Sequence, residues 1–171
     1  MAKRWYVVQS NVKTENIAVQ NLKDQRFTVF LPQISEVRKI RGKMVTESLP
    51  LFPSYLFVQF DINRSRWRSI LGTRGVKTLL GATEEYASPL PKGFVEDLLK
   101  QADKRGVLSI RKAERVVAKY KTGDTLRVKE GLFMGLTGTC QKIQQEFAVL
   151  LLSLQSGDFE IKLPIGLLES P

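Results

Sequence analysis

Short apolar runs separated by turn residues dominate the chain of 171 residues, and a few stretches have helical spacing instead. Residues 5–9 are rich in aromatic and β-branched side chains, which favours a first strand. Thr14 then precedes a run in which Ile17, Ala18 and Leu22 would share one helix face. Thr14 is a natural N-cap for that helix.

The rest of the first half continues this mixture of strands and helices. Prolines 50 and 53 exclude a helix through the apolar segment between them. The basic stretch 37–45 contains a natural turn at Arg41-Gly42-Lys43, which predicts an exposed hairpin. Further strands are predicted at residues 27–31, 55–60 and 76–80, and helices at 65–71 and after Pro91. This outline predicts an α+β domain over residues 1–103, with helices flanking an antiparallel sheet.

The character of the chain changes at residue 104. Residues 104–121 are strongly basic and poor in apolar positions, which predicts a linker. Residues 122–171 then predict about five short strands, the pattern of a small all-β barrel. One strand remains ambiguous, because Phe147, Leu150, Leu151 and Leu154 also have helical spacing.

Composition narrows the possible functions. The 27 lysines and arginines exceed the 17 acidic residues by ten, which favours a polyanionic partner, although a solvated basic face is the simpler alternative. There is no histidine and one cysteine, Cys140, so the usual zinc sites and an internal disulfide are excluded. The chain has no phosphate-binding, nucleophile or dinucleotide motif, so we predict a protein that is not an enzyme and needs no cofactor or metal. A hydrolase that uses only carboxylates is the alternative, although no paired-acid motif supports it. No apolar run reaches the length of a membrane span, and the single cysteine favours a reducing, cytoplasmic location.

Two motifs carry a resemblance to a known family. The segment LFPSYLFV at residues 51–58, preceded by WYVV at 5–8, resembles the N-terminal domain of the NusG/Spt5 transcription elongation factors. The segment GDTLRVKEGLF at residues 123–133, with Gly138, resembles the KOW module of that family, an SH3-like barrel. Residues 51–58 and 73–76 are more similar to specialised RfaH-type paralogues, whereas residues 88–91 and the helix after them are more similar to general NusG. We predict a specialised paralogue of the RfaH type.

The resemblance implies a factor that binds RNA polymerase and suppresses pausing and termination. An apolar depression on the N-terminal domain would hold the polymerase clamp, and a second contact would lie near residues 65–69. For each aromatic residue, burial in the core is an equally open alternative, and Trp67 in particular is a candidate for packing on the sheet. The residues predicted to bind polymerase are Tyr6, Val8, Phe52, Pro53, Tyr55, Phe57, Arg66 and Trp67.

The resemblance also implies contact with the displaced non-template DNA strand. Arg74 is the strongest candidate, because a guanidinium contacts phosphate or a guanine edge. Asn11 and Asn21 stand where RfaH-type proteins carry Lys and His, so the DNA element recognised would differ. The residues predicted to bind DNA are Asn11, Lys13, Asn21, Gln25 and Arg74.

The KOW module is implied to recruit a ribosomal protein of the small subunit or the termination factor Rho. Its predicted contacts are Leu154, Gln155 and Phe159, and Gln155 falls where general NusG has Phe. RfaH itself converts this module between an α-hairpin and a barrel, and the ambiguous segment 144–154 raises that possibility here. The chain is expected to be a monomer. The rival hypothesis is a ribosome-associated RNA-binding protein that uses its KOW barrel.

Overall fold

The structure, a computed structural model, describes residues 3–109, 120–130, 133–144, 147–154 and 157–171. The N-terminal elements are β1 (Arg4–Ser10), α1 (Glu15–Asp24), β2 (Thr28–Phe30), β3 (Gln33–Ile40), β4 (Lys43–Pro50), β5 (Tyr55–Phe60), a 3-10 helix (Trp67–Gly72), β6 (Val76–Leu79), α2 (Phe94–Gln101) and β7 (Val107–Leu108). The C-terminal elements are β8 (Thr125–Val128), β9 (Thr137–Gln144), β10 (Phe147–Leu154), β11 (Gly157–Pro164), a second 3-10 helix (Ile165–Leu167) and β12 (Leu168–Glu169). The predicted α+β fold with a β-rich C-terminal part is confirmed.

The main N-terminal sheet has the strand order β2-β5-β1-β6, with antiparallel pairing throughout. Its central strands β1 and β5 are apolar at consecutive positions, so side chains on both faces must be covered. Tyr6 and Val8 point to one face, whereas Trp5 and Val7 point to the other.

The first face of this sheet is covered by α1 and the 3-10 helix. Ala18 and Leu22 of α1 are fully buried, as the helical spacing predicts. Thr14 occupies the N-cap position, although its hydroxyl donates to the Asn11 and Gly75 carbonyls instead of capping the helix. The buried cluster on this face consists of Tyr6, Val8, Ala18, Leu22, Leu56, Val58, Phe60, Trp67, Ile70, Val76, Leu79 and Ala87.

The second face is covered by α2 and by the C-terminal barrel. Val95 and Leu98 of α2 pack in one continuous buried cluster with Val7 and Phe57 of the sheet. That same cluster includes the barrel residue Leu150, so one apolar core runs from the sheet into the barrel. The C-terminal part therefore completes the burial of the N-terminal sheet.

A small sheet of order β4-β3-β7 lies beside the main one. Its strand β7 falls within the segment that was predicted as a linker, and it pairs in parallel with Gln33 and Ile34 of β3. A strand of two residues is too short to leave a periodic signal in the sequence. The remaining predicted linker, residues 110–119, lies outside the described residues.

The C-terminal barrel has the strand order β11-β10-β9-β8-β12. The ambiguous segment forms the strand β10, which is paired along its length with β11 and, from Phe147 to Leu151, with β9. Gly138 of β9 allows this close pairing, because a Cβ atom there would lie 2.7 Å from the Leu151 carbonyl oxygen. Backbone hydrogen bonding on both sides thus decides between strand and helix for this segment.

Candidate functional site

Phe52, Tyr55 and Phe57 form an aromatic face on the second side of the main sheet. Pro53 and Ser54 turn the chain between β4 and β5, and the Tyr55 N–H donates to the Phe52 carbonyl at 3.0 Å. Ser54 takes a left-handed φ of 67° in this turn. The Phe52 and Phe57 rings then meet edge to face with centroids 5.3 Å apart, whereas Pro53 is only half-buried.

The barrel lies directly on this aromatic face. Phe133 of the barrel meets Phe52 edge to face, with centroids 6.1 Å apart. The Lys162 N–H of β11 donates to the Leu51 carbonyl at 3.0 Å, so backbone hydrogen bonding also joins the two parts. Phe52 and Phe57 are consequently inaccessible to solvent in this arrangement.

A charged contact borders the aromatic face. The Lys162 ammonium lies 3.3 Å from a Glu36 carboxylate oxygen of β3 and 4.8 Å from the centre of the Phe147 ring. Glu36 also accepts from Arg38. Lys162 and Glu36 were not singled out from the sequence, since nothing local marks two residues 126 positions apart as partners.

Tyr55 lies at the edge of the contact between the sheet and the barrel. Its hydroxyl accepts a long hydrogen bond of 3.4 Å from the Gln9 amide. Burial raises the pKa of Tyr55 above its ordinary value, and the barrel carboxylates Glu160 and Asp158 raise it further. The phenol therefore stays neutral beside these acidic groups.

Tyr6 and Val8 lie on the opposite side of the sheet from the aromatic face. The Tyr6 ring stacks on Phe60 with centroids 3.9 Å apart, and burial raises the pKa of Tyr6. The structure thus divides the residues predicted to line one apolar depression between two faces of the sheet, with Tyr6 and Val8 on the face opposite to the aromatic face. The burial of Tyr6 and Val8 corresponds to the core alternative that the sequence left open.

Arg66 and Trp67 differ in their accessibility. Trp67 is buried and stacks on Phe60 at 6.1 Å, with the Arg68 guanidinium 4.7 Å from the centre of its ring. Trp67 therefore packs on the sheet, which was the alternative to a contact role. Arg66 is exposed and lines a cavity of about 440 Å³ together with Lys3 and Arg26.

The predicted DNA-binding residues come together where the loop 73–75 packs against α1. The Asn11 N–H donates to the Gly75 carbonyl at 3.0 Å, and the Asn21 amide donates to the Arg74 carbonyl at 3.3 Å. The Gln25 amide donates to the Thr73 hydroxyl at 2.7 Å. The side-chain amides of Asn21 and Gln25 thus hold the loop in place.

Gly75 makes this packing possible. Its φ of +91° is left-handed, and a Cβ atom would lie 2.7 Å from the backbone nitrogen of Ala18 in α1. The close approach leaves the side chains of Arg74 and Lys13 exposed on the same surface. Two cations are therefore presented on a loop and a helix entrance that are tied together by hydrogen bonds.

The predicted KOW contacts lie at the β10–β11 turn. Leu154 pairs with Gly157, and Phe159 pairs with Leu152 across the two strands. Gln155 lies outside the described residues. A Cβ atom on Gly157, the first residue of β11, would be 3.4 Å from the Leu80 side chain, so this end of β11 lies against the N-terminal part.

The described parts of the chain contain neither a cluster of metal-binding side chains nor a helix that could span a membrane. Within them, no group of three or more Cys, Asp or Glu residues is arranged to hold a metal ion. None of the helices within those same ranges combines the length and apolarity that crossing a membrane demands.

Comparison with known proteins identifies the family. The model of the family described as "Transcription termination factor nusG" matches residues 3–99. The transcription termination/antitermination protein NusG of Thermus thermophilus is 31% identical over 162 residues, which cover 85% of this chain and 85% of that protein. The protein of the same name from Haemophilus influenzae is 26% identical over 161 residues, covering 89% of this chain and 84% of that protein.

A solved structure supports the same assignment at the level of the fold. The structure described as "Domain interaction in Thermotoga maritima NusG" aligns with 98% of this chain and 97% of its own, with a TM-score of 0.53 and 15% identity. The family resemblance of the two sequence motifs is confirmed, whereas specialisation of the RfaH type stays a prediction. The match over residues 3–99 and the relative that is 31% identical establish that the chain belongs to the NusG family.

Proposed function

We propose that this chain is a transcription elongation and antitermination factor that binds RNA polymerase through its N-terminal part and recruits partners through its barrel. Membership of a family whose relatives are named transcription termination/antitermination proteins supports this role. The observation that carries the proposal is the aromatic face of Phe52, Tyr55 and Phe57, which is completed by the barrel and not by the N-terminal elements alone.

In this proposal the polymerase replaces the barrel on the aromatic face. Departure of the barrel would expose Phe52 and Tyr55 together, and a contiguous apolar patch of this kind is typical of a protein-binding surface. Aromatic anchors seated in a pocket supply most of the binding energy of such interfaces. Polymerase would therefore stabilise the open conformation by its differential affinity for it.

Opening would also release the recruiting surface of the barrel. Gly157, at the turn predicted to bind partners, packs near Leu80 of the N-terminal part. A ribosomal protein or Rho that binds Leu154, Gln155 and Phe159 would therefore find this turn accessible after polymerase has bound. Binding of polymerase and binding of the barrel's partner are coupled in this scheme, because the contact between the barrel and the N-terminal part covers both the aromatic face and the recruiting surface.

Contact with the non-template strand belongs to the same proposal. Arg74 and Lys13 are exposed on a surface braced by Asn11, Asn21 and Gln25. Arg74 would contact phosphate or a base edge of a single strand, while Asn21 and Gln25 would position the loop. Arg66 would provide a second polymerase contact away from the aromatic face.

Competition between polymerase and the barrel provides the test. Tyr55→Ala is expected to weaken binding to purified RNA polymerase by about 1–2 kcal/mol, because it removes an anchor. Phe133→Ala is expected to strengthen binding, because it removes a barrel contact from Phe52 and raises the open fraction. Leu99→Ala, at an exposed apolar position of α2, is the control and is expected to change nothing.

Circular dichroism identifies any variant that fails to fold, and Tyr55→Phe provides a milder change at the same position. If Tyr55→Ala and Phe133→Ala both fold and both bind polymerase like the unaltered protein, the aromatic face is not the polymerase site.

A further inference from the structure

The distal part of the β3–β4 hairpin, residues 37–46, projects from the N-terminal part as a two-stranded arm. Its cross-strand pairs run from Val37 with Thr46 to Ile40 with Lys43, and all of these residues are exposed. The turn at Arg41 and Gly42 has φ values of 49° and 80°, which are typical of a tight hairpin whose strands stay regularly twisted. The arm is therefore a regular ribbon without a packed partner among the described residues.

Large apolar side chains are exposed on this ribbon. Met44 is 69% exposed, and Val37, Ile40 and Val45 are between 41% and 45% exposed. A two-stranded ribbon that buries so little is marginally stable in water. A cluster of exposed apolar side chains on such an element indicates a binding surface.

The charge of the arm indicates the chemistry of its partner. Residues 37–46 contain four cations and no carboxylate. Arg38 is paired with Glu36 at the base of the hairpin, at 2.9 Å. Lys39, Arg41 and Lys43 have no ion pair with any other described residue, so three positive charges at the tip are uncompensated.

We propose that this arm binds double-stranded DNA by inserting its tip into the major groove. The major groove admits a two-stranded β-ribbon, and cations on both faces of the ribbon would reach the phosphates on either side. Lys39 lies on one face, whereas Lys43 lies on the other. Met44 and Ile40 would meet apolar sugar and thymine methyl groups inside the groove.

Other partners fit this surface less well. Lysine is depleted at the cores of protein interfaces, yet the arm carries Lys39 and Lys43 beside its apolar residues. The major groove of double-stranded RNA is too deep and narrow for a ribbon. This duplex site is separate from the Arg74 surface and goes beyond the proposed polymerase contact.

Neutralising the tip tests the proposal in the full chain. The arm variant is Lys39→Gln, Arg41→Asn and Lys43→Gln, in which Asn is chosen because it tolerates the left-handed backbone at position 41. The control variant, Lys92→Gln, Lys104→Gln and Lys129→Gln, removes the same charge from exposed positions elsewhere. Binding of a short fluorescein-labelled duplex DNA is measured by anisotropy over a range of salt concentrations.

The arm variant is expected to bind the duplex at least about tenfold more weakly, and the slope of log Kd against log salt concentration should fall by about 3, one for each cation. The control variant is expected to keep most of its affinity and slope. If both variants lose the same duplex affinity, the loss follows from the lower net charge alone, and the proposal is refuted. Equal losses on duplex DNA, double-stranded RNA and single-stranded DNA would refute groove binding.

A second variant separates insertion from electrostatic attraction. Ile40→Thr with Met44→Thr is expected to lower duplex affinity several-fold without changing the salt slope, since no charge is removed. Unchanged affinity would refute insertion of the ribbon. Polymerase binding is measured with the triple variant of Lys39, Arg41 and Lys43. If this variant loses affinity for polymerase but keeps its affinity for the duplex, the arm is a protein contact and the proposal is wrong, whatever the result for Tyr55→Ala.

Discussion

Lys162 of the barrel and Glu36 of β3 form an almost buried ion pair, with 8% and 13% of their side chains exposed. The pair joins two parts of the chain that are separated by more than 100 residues. Because both groups are largely removed from water, each depends on the other for compensation. This contact lies next to the backbone hydrogen bond from Lys162 to Leu51, so it anchors the barrel over the aromatic face.

Removing one partner of this pair is expected to destabilise the protein. Lys162→Met should lower the free energy of unfolding by about 1–3 kcal/mol, because it leaves the Glu36 carboxylate with Arg38 alone. A double-mutant cycle with Glu36→Gln, followed by urea denaturation, should give a coupling energy of about 1 kcal/mol or more.

The exposed pair between Arg127 and Glu169 is the matched control for that cycle. Its side chains are 48% and 40% exposed, so solvent screening should limit its coupling to about 0.2–1 kcal/mol. A coupling between Lys162 and Glu36 no larger than that of the control pair would show that the contact does not hold the barrel in place.

Replacing Gly75 is expected to disrupt the surface that carries Arg74. Gly75→Ala combines a left-handed backbone with a Cβ atom 2.7 Å from the Ala18 nitrogen, so it should cost about 3 kcal/mol in urea denaturation. Gly72→Ala is the control, because nothing lies within 4 Å of the added Cβ atom and no left-handed φ is required. Equal stabilities of the two variants would contradict the close packing of the loop on α1.

Asp103 should titrate at unusually low pH. Its carboxylate accepts hydrogen bonds from the Val107 and Arg105 N–H groups, which hold its pKa below the ordinary value. The contribution of Asp103 to the free energy of unfolding is complete above the ordinary aspartate pKa of about 3.9. It is lost as the pH falls through the lower pKa of Asp103 in the folded protein. Carboxyl NMR should place the Asp103 midpoint below that of an unstructured aspartate, and a midpoint at the ordinary value would be evidence against the turn that leads into β7.

Cys140 should react slowly with thiol reagents in the folded protein. The thiol is fully buried in the barrel, and burial raises its pKa above the ordinary value. Since the thiolate is the reactive form, modification at pH 8 should be much slower than in urea. Iodoacetamide labelling followed by mass spectrometry measures both rates, and equal rates would show that the barrel opens readily or does not bury the thiol.

Local patterns predicted several elements correctly. Strand β5 occupies residues 55–60, as its apolar composition predicts, and α1 buries Ala18 and Leu22, as its helical spacing predicts. The consecutive apolar positions of β1 and β5 also require two covered faces, because successive side chains in a strand point in opposite directions. Local patterns did not reveal β7, since two residues carry no periodicity.

The candidate sites were only partly accessible to sequence reasoning. The residues Asn11, Asn21, Gln25 and Arg74 do lie together, as the family motif implied, but hydrogen bonds show that two of them hold a loop. The resemblance grouped Tyr6 with Phe52, whereas the sheet places these side chains on opposite faces. Their functions as binding residues stay predictions.

The sequence by itself determined the family, the α+β order of elements and the excess of positive charge, because motifs, periodicity and composition are local properties. The tertiary structure alone decided that β10 is a strand and that Phe52 meets Phe133. It also decided that Glu36 faces Lys162. These outcomes depend on contacts between distant residues, whose free energies no local pattern encodes.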